Sequence, residues 1–456
     1  MRRMFFRVVG VLSLPLFCYS IHAQTASDPP AFSFSAPQKI LTGATIQSGN
    51  VVSVTSTDLN GDGNTDLYGQ LFYKDANGNE AFLNIFLTGD GKGGFVLNAN
   101  SNTNDPNNVN PFFAYNPGGP ASPPAVFMDL NRDGNADTLY IDPGLTNTGV
   151  CPEPVERQGS ISAYLGDGKG NFTPDGYSLP LGDAFSTFTM TTGDFNNDSL
   201  QDGAMLTFLS ADAVPGCDSG GISTPLLLLN NGDGTFADSF YYVSNIQVSP
   251  RSSHLVVGDF NGDGKLDLAF VGKALNNAQV PPPTGNVIQV LYGNGDGTFV
   301  VGPTYTSDTT VDNMVAADLN ADGKTDLVIL TEPKNPSTQF RIVTLLAKQA
   351  GGFYWASEVA SSNPVTLIGL MDLNNDGKPD LAYYSYDSST KVTSLRAFPG
   401  LGGGKFGTSQ LIRNLAPNEN DIIAPLKTGG PLDIFYALSY PPNKNIYLYE
   451  MLNQSK

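Results

Sequence analysis

Histidine is almost missing from this chain: among 456 residues there are two, His22 and His254. A catalytic triad or an imidazole-bound metal centre is therefore close to excluded. Positive charge is scarce too, with 24 Lys and Arg against 43 Asp and Glu, for a formal net charge of -19. Such a surface suits neither nucleic acid nor an anionic membrane. Cysteine is limited to three residues, and beyond the first two dozen positions no apolar run is long enough to span a bilayer. What is plentiful is Gly, 50 residues, and Pro, 32, which cost a helix interior about 1 to 3 kcal/mol each and argue against a helical protein. An apolar fraction of 40%, including 27 Phe and 19 Tyr, supplies a core and excludes wholesale disorder. The length suits several ordinary domains, or one domain if it is built from repeats.

Residues 1–23 read as a secretory signal peptide, with Arg2, Arg3 and Arg7 as its basic start, Val8 to Ile21 as its apolar stretch and Ile21-His22-Ala23 as the cleavage site. The apolar stretch, about 14 residues, is shorter than the roughly 20 that a membrane anchor needs. Bulky Phe17 before Cys18 fits a lipidated cysteine poorly. The mature protein is thus expected to begin near Gln24 and to be exported to an extracellular, cell-surface or periplasmic location. His254 would be its one histidine, and Cys151 and Cys217 its cysteines. An even pair in an oxidising compartment points to a disulfide, with two free thiols as the alternative.

One nine-residue pattern recurs six times. The first copy is DLNGDGNTD, with Asp58, Asn60, Asp62, Asn64 and Asp66 at positions 1, 3, 5, 7 and 9. The same positions are held by Asp129, Asn131, Asp133, Asn135 and Asp137, then by Asp194, Asn196, Asp198, Leu200 and Asp202. Next come Asp259, Asn261, Asp263, Lys265 and Asp267, then Asp318, Asn320, Asp322, Lys324 and Asp326. The last copy has Asp372, Asn374, Asp376, Lys378 and Asp380. The copies follow one another at 71, 65, 65, 59 and 54 residues, a unit suited to one four-stranded propeller blade.

Side-chain oxygens at positions 1, 3, 5 and 9, with Gly at 6, suit a tight loop wrapped around a hard cation, and calcium accepts such irregular oxygen cages. Position 7 varies freely, as expected of a residue giving only its backbone carbonyl. An EF-hand is excluded because its last acidic ligand stands at position 12 between helices. Here the flanks are strand-like, HLVVG before Asp259 and LVIL after Asp326. Asx-rich hairpin turns explain any single copy, but six copies with carboxylates at 1, 5 and 9 would repel without a counter-charge, which favours about six calcium ions. The third copy is the weakest, because Ser199 replaces the glycine.

Each unit also carries an apolar strand, a Gly-rich turn and a Phe, at Phe95, Phe172, Phe236, Phe299, Phe353 and Phe406. These read as hairpins, their GDG triplets as turns, and the Phe as packing between neighbouring sheets.

The two elements in this order resemble the FG-GAP, or VCBS-type, repeat of the integrin α-chain β-propeller and of many secreted bacterial proteins. The resemblance implies an all-β, seven-bladed propeller of four-stranded blades, with calcium in the loop between the first and second strands. Residues 24–456 then form a single domain, with blades at about 46–112, 113–183, 184–247, 248–307, 308–360, 361–413 and 414–456, the last completed by 31–45. That last unit keeps Asp433 but has Pro425, Lys427 and Gly429 at ligand positions, so it should lack calcium. Its missing strand is expected from AFSFSAPQKIL at the N terminus, with Phe32 or Phe34 in the Phe position, so that the N-terminal strand closes the ring beside the C-terminal blade.

In that family geometry, the longest insertions, residues 98–124, 138–160 and 204–225, emerge opposite the calcium loops. Cys151 and Cys217 would sit in equivalent loops of adjacent blades. Phe112, Phe113 and Tyr115 stand in the first insertion, either as a ligand-stacking surface or as a plug for their own loop. No catalytic set is legible, and His254 reads as a packed or channel-mouth residue rather than a base. The first functional reading is an exported, calcium-binding adhesion module for a protein or glycan partner on the face opposite the calcium loops. The alternatives are an extracellular carbohydrate-active lyase or hydrolase and a structural cell-surface scaffold.

Overall fold

A computed structural model describes residues 32–36, 38–39, 50–74, 80–92, 94–97, 126–142, 145–146, 155–157, 159–182, 187–209, 222–240, 246–247, 254–274, 287–333, 339–415, 420–425, 432–440 and 445–455. Residues 1–23, read above as a signal peptide, and Phe112, Phe113, Tyr115, Cys151 and Cys217 lie outside the described residues. Among the described residues no helix is long and apolar enough to cross a membrane.

The sheets are antiparallel and mostly four-stranded, each built from strands that follow one another in the chain. Blade one comprises Asn50–Thr57, Asp66–Lys74, Glu80–Gly89 and Phe95–Leu97. Blade two comprises Val126–Met128, Asp137–Asp142, Gly159–Gly166 and Phe172–Gly182. Blade three comprises Thr187–Gly193, Asp202–Leu209, Ile222–Asn230 and Phe236–Phe240. Blade four has Leu255–Gly258, Asp267–Ala274, Val287–Gly293 and Phe299–Thr306, with Ile246–Gln247 as an extra short strand on Asp267–Ala274. Blade five comprises Val311–Ala317, Asp326–Thr331, Phe340–Ala347 and Phe353–Ser361. Blade six comprises Val365–Met371, Asp380–Asp387, Val392–Phe398 and Gln410–Asn414.

These six consecutive blades make the fold a β-propeller of four-stranded antiparallel blades. A further sheet gathers Asn420–Pro425, Leu432–Tyr440 and Asn445–Met451 and takes Gln38–Lys39 as its fourth strand, with Gln38 opposite Glu450. Phe34 bridges to Asn453 beside it. In place of the seven blades expected from the sequence, the fold has six consecutive blades and a further sheet that joins residues 38–39 with 420–451.

Middle strands are apolar because both their faces are covered. Every residue of Asp326–Thr331 is buried, whereas the outer strand Phe353–Ser361 puts Tyr354 and Trp355 on the surface. The core lies between blades. Phe260 of blade four meets Phe353 of blade five edge to face, with ring centroids 5.7 Å apart, and Phe195 of blade three meets Phe299 of blade four at 5.9 Å. The Phe that opens an outer strand thus packs on the residue at position 2 of the preceding blade's nonapeptide. In blade six the same Gly-rich hairpin is present, Gly400 pairing with Phe406 as Ala347 pairs with Phe353 in blade five, but the outer strand is interrupted after Phe406 and resumes at Gln410. The turn of this hairpin has Gly402, Gly403 and Gly404 in succession at positive φ.

Candidate functional site: the nonapeptide loops

All six nonapeptides join the first strand of a blade to its second and fold alike. In the first loop, the Asp58 carboxylate accepts the N–H of Asp62 at 3.1 Å and of Gly63 at 2.7 Å, Asn60 Oδ1 accepts Asp62 N–H at 3.0 Å, and Asp62 Oδ1 accepts Asn64 N–H at 2.7 Å. The corresponding bonds recur in the loop of Asp318, where its carboxylate accepts from Asp322 and Gly323, and in that of Asp372, where it accepts from Asp376 and Gly377. The turn needs a left-handed backbone twice. At position 6 φ is 81° for Gly63 and 70° for Ser199, and at position 4 it is 63° for Arg132, 60° for Ala321 and 57° for Asn375. Position 6 was legible from its glycines. Position 4 was missed, its signal being only the mix of Gly and Asn with Arg and Ala.

Position 9 plays a different part from positions 1, 3 and 5. Asp66, Asp137, Asp202, Asp267, Asp326 and Asp380 are all 0% exposed, whereas the other loop carboxylates lie at or near the surface. Asp66 Oδ2 accepts the N–H of Leu59 at 3.0 Å, and its Oδ1 accepts that of Gly89 at 2.9 Å, where the third strand ends. Asp267 does the same with Phe260 and Gly293, both at 2.8 Å. Each such aspartate ties its loop to the third strand. Burial pushes the Asp66 carboxyl up to about 6 against the pull of these two N–H groups, and the charges of Asp62 and Asp58 add to the rise. Asp267 is driven to about 7, again chiefly by burial.

Neighbouring loops are knitted together. Ala136 N–H donates to Leu59 O at 3.1 Å and Thr325 N–H to Asp259 O at 2.6 Å, each from one loop to the loop before it. The Gly-rich hairpins join in: Gly234 N–H donates to Leu130 O at 3.0 Å and Gly297 N–H to Phe195 O at 3.1 Å. Loops and hairpins therefore form one continuous end of the propeller. The hairpin aspartates serve their own turns, Asp90 Oδ1 accepting from Lys92 and Gly94 and Asp233 Oδ1 from Thr235.

The donor set matches a hard cation in kind, since every side chain at positions 1, 3, 5 and 9 offers oxygen. An ionised carboxylate has about four lone-pair sites, and the two bonds that Asp58 accepts leave others free. Among the described residues, however, no three acidic, His or Cys side chains are gathered in the manner of a preformed metal cluster. In two loops a lysine at position 7 supplies local counter-charge: Lys324 Nζ lies 3.2 Å from Asp322 and Lys378 Nζ 3.3 Å from Asp376. His254 stands at the opposite end of its strand from the loop. Its Nε2 meets the backbone oxygen of Asp312 in the next blade, and burial lowers its pKa, as suits a packed residue.

Comparison with known proteins finds that residues 213–270 match the family described as FG-GAP-like repeat. That span runs from before the third strand of blade three through the nonapeptide of Asp259 into blade four. No curated protein matches. Among solved structures, the Tc holotoxin pore of Photorhabdus luminescens is 14% identical over 93% of this chain, with a TM-score of 0.34, and the chain spans 19% of its length. A protein from Lactobacillus plantarum is 13% identical, with 71% of this chain and 90% of that one covered and a TM-score of 0.40. A rhamnogalacturonan lyase of Bacillus licheniformis is 15% identical, with 89% and 76% covered and a TM-score of 0.35. The chain thus carries an FG-GAP-like repeat in a propeller fold, in agreement with the resemblance of its nonapeptides.

Proposed function

We propose that this is an exported, calcium-binding propeller that acts as a non-enzymatic binding module for a protein or glycan. The observation that carries the reading is the shared loop frame, in which six oxygen-rich nonapeptides adopt one conformation at one end of the fold. Calcium would be held by the side chains at positions 1, 3, 5 and 9 and the carbonyl at position 7. Bound there, it supplies the counter-charge that closely set carboxylates call for.

The reading includes a ring of seven, with the sheet of Asn420–Pro425 and Gln38–Lys39 as a seventh blade without calcium. In support, Asn50–Thr57 of blade one lies against Asn420–Pro425 of that sheet. Partner binding is assigned to the opposite face, where the connections carrying the long insertions emerge, and a Cys151–Cys217 disulfide would pin two of them. Elemental analysis together with thermal melting tests the metal. About six calcium per chain and a markedly lower melting temperature after chelation are expected. Melting that is unchanged after exhaustive chelation contradicts the reading.

A further inference from the structure

The face of blade six that looks toward blade five has two parts. Its inner part is apolar and packed, with Tyr383 and Phe398 stacked at 4.9 Å and 15° and joined to Leu330, Ile342 and Leu346 of blade five. Its outer part is an open, polar cleft of 590 Å³. Ser361 and Asn363, at the end of blade five, form one wall, and Ser394, Arg396, Ser409 and Asn414 of blade six form the other.

Arg396 is out of keeping with its place in the sheet. It pairs with Tyr383, the third residue beyond buried Asp380. The equivalent residues in blades three, four and five are Leu226, Gln289 and Val343, opposite Met205, Phe270 and Ile329. Those three are 0%, 2% and 5% exposed, whereas Arg396 is half-buried at the edge of the cleft. The guanidinium is aimed by one contact, its Nε donating to the Ser409 hydroxyl at 3.0 Å, and that hydroxyl is in turn 2.5 Å from the Tyr383 hydroxyl. Arg341 of blade five pairs with Asp308 at 2.6 Å and Glu358 at 3.7 Å, but Arg396 has no ion pair among the described residues.

A half-buried cation without a counter-charge bears a desolvation cost that an anion relieves. With Nε engaged, the two Nη groups remain as a fork matched to a planar carboxylate. The remaining lining is mostly hydroxyl and amide, which suits a polyhydroxylated molecule, and the volume falls in the range of about 300 to 1,000 Å³ found for small-molecule sites. Asp387 at the rim is already bonded to Ser389 N–H at 2.8 Å and stays ionised, which disfavours ligands carrying several negative charges. We propose that the cleft between blades five and six binds a hexuronate, a sugar bearing one carboxylate, with that carboxylate on Arg396 and its hydroxyls on the Ser and Asn side chains of the two walls. The ligand class deepens the glycan branch of the reading above and rests on it, but the site does not depend on the calcium loops.

Titration calorimetry of the full chain in saturating calcium tests this with glucuronate and galacturonate, against glucose, acetate and inorganic phosphate. A hexuronate is expected to bind at least about tenfold more tightly than glucose, which lacks the carboxylate for charge-assisted bonds to the guanidinium, and more tightly than acetate, which lacks the hydroxyls for the Ser and Asn walls. Arg396→Gln should abolish this preference. Ser409→Ala, which keeps the charge and removes the anchor of Nε, should weaken binding several-fold and decides the matter should Arg396→Gln fold poorly. No hexuronate binding by the wild type, tighter binding of phosphate, or undiminished binding by both variants overturns the proposal. Calcium-dependent melting that persists without hexuronate binding overturns the cleft alone and leaves the metal reading standing.

Discussion

Asp433 accepts a hydrogen bond from the backbone N–H of Asn453 at 2.7 Å, the same bond by which Asp66 holds Gly89 at 2.9 Å. The other ligand positions of its unit are Pro425, Lys427 and Gly429, so the bond survives where the oxygens of the loop are gone. The aspartate at position 9 is therefore a clamp between the second and third strands in its own right. Asp433→Ala is expected to destabilise the protein by about 1 to 3 kcal/mol, through loss of a hydrogen bond to a buried carboxylate. Denaturant midpoints should fall equally with calcium and with chelator; a loss seen only in calcium would mean that Asp433 acts through an ion.

Ser199 holds a left-handed conformation, φ 70°, where five other loops have glycine. A Cβ on Gly63, Gly134, Gly264, Gly323 or Gly377 would meet nothing within 4 Å, so the serine is costly only in backbone conformation. That cost is roughly 1 to 2 kcal/mol, less the roughly 0.4 to 1 kcal/mol by which glycine favours the unfolded chain. Ser199→Gly is expected to raise stability by about 0.5 to 1 kcal/mol, read as a higher denaturant midpoint at constant slope. A lower midpoint contradicts this.

Stability without calcium should depend on pH in an unusual direction. Burial lifts Asp66, Asp137, Asp202, Asp326 and Asp380 from 3.8 to about 6 and Asp267 to about 7. A carboxyl that binds its proton more tightly when folded contributes stability below about pH 4 and loses it as the pH rises through the folded pKa. His254, whose pKa burial lowers, acts in the opposite sense, one group against six. In chelator the melting temperature should fall between pH 5 and pH 8, whereas bound calcium, which favours the ionised form, should flatten the slope. A rise across that interval in chelator contradicts the account.

Removing residues 24–45 takes away Gln38–Lys39, the Ser35 N–H bond to Leu452 O at 2.7 Å, and the packing of Phe32 and Phe34 on the cluster of Leu373, Ala382 and Ala397. It leaves Asn445–Met451 as an uncovered edge, the kind of template on which chains aggregate. The truncated protein should be aggregated or melt well below the full chain. A soluble truncation with unchanged melting temperature would sink the role given to this segment.

What was legible in the sequence is what repeats locally. The nonapeptides announced strand, loop and strand, and Phe95, Phe172, Phe236, Phe299 and Phe353 each open an outer strand as their hairpins implied. Phe406 takes the same hairpin place, paired with Gly400, but its outer strand is broken before Gln410. The clamp role of position 9 was hidden because an aspartate that binds N–H groups looks the same in sequence as one that binds a cation. Arg396 was hidden for a different reason: its oddity appears only when Tyr383, Ile329 and Phe270 are aligned by strand pairing, a relation between residues distant in the chain.

Because Gln38 and Lys39 pair with Glu450 and Tyr449, one sheet cannot be finished until the chain has been made as far as residue 450. The first described residues must wait, unpaired, while every intervening blade forms, and joining such distant segments is the slow, entropically expensive kind of contact. Chains cut short anywhere before residue 449 therefore share one defect, whatever the rest of their structure. The pairing works as a test of length, met only by a polypeptide that has reached Glu450.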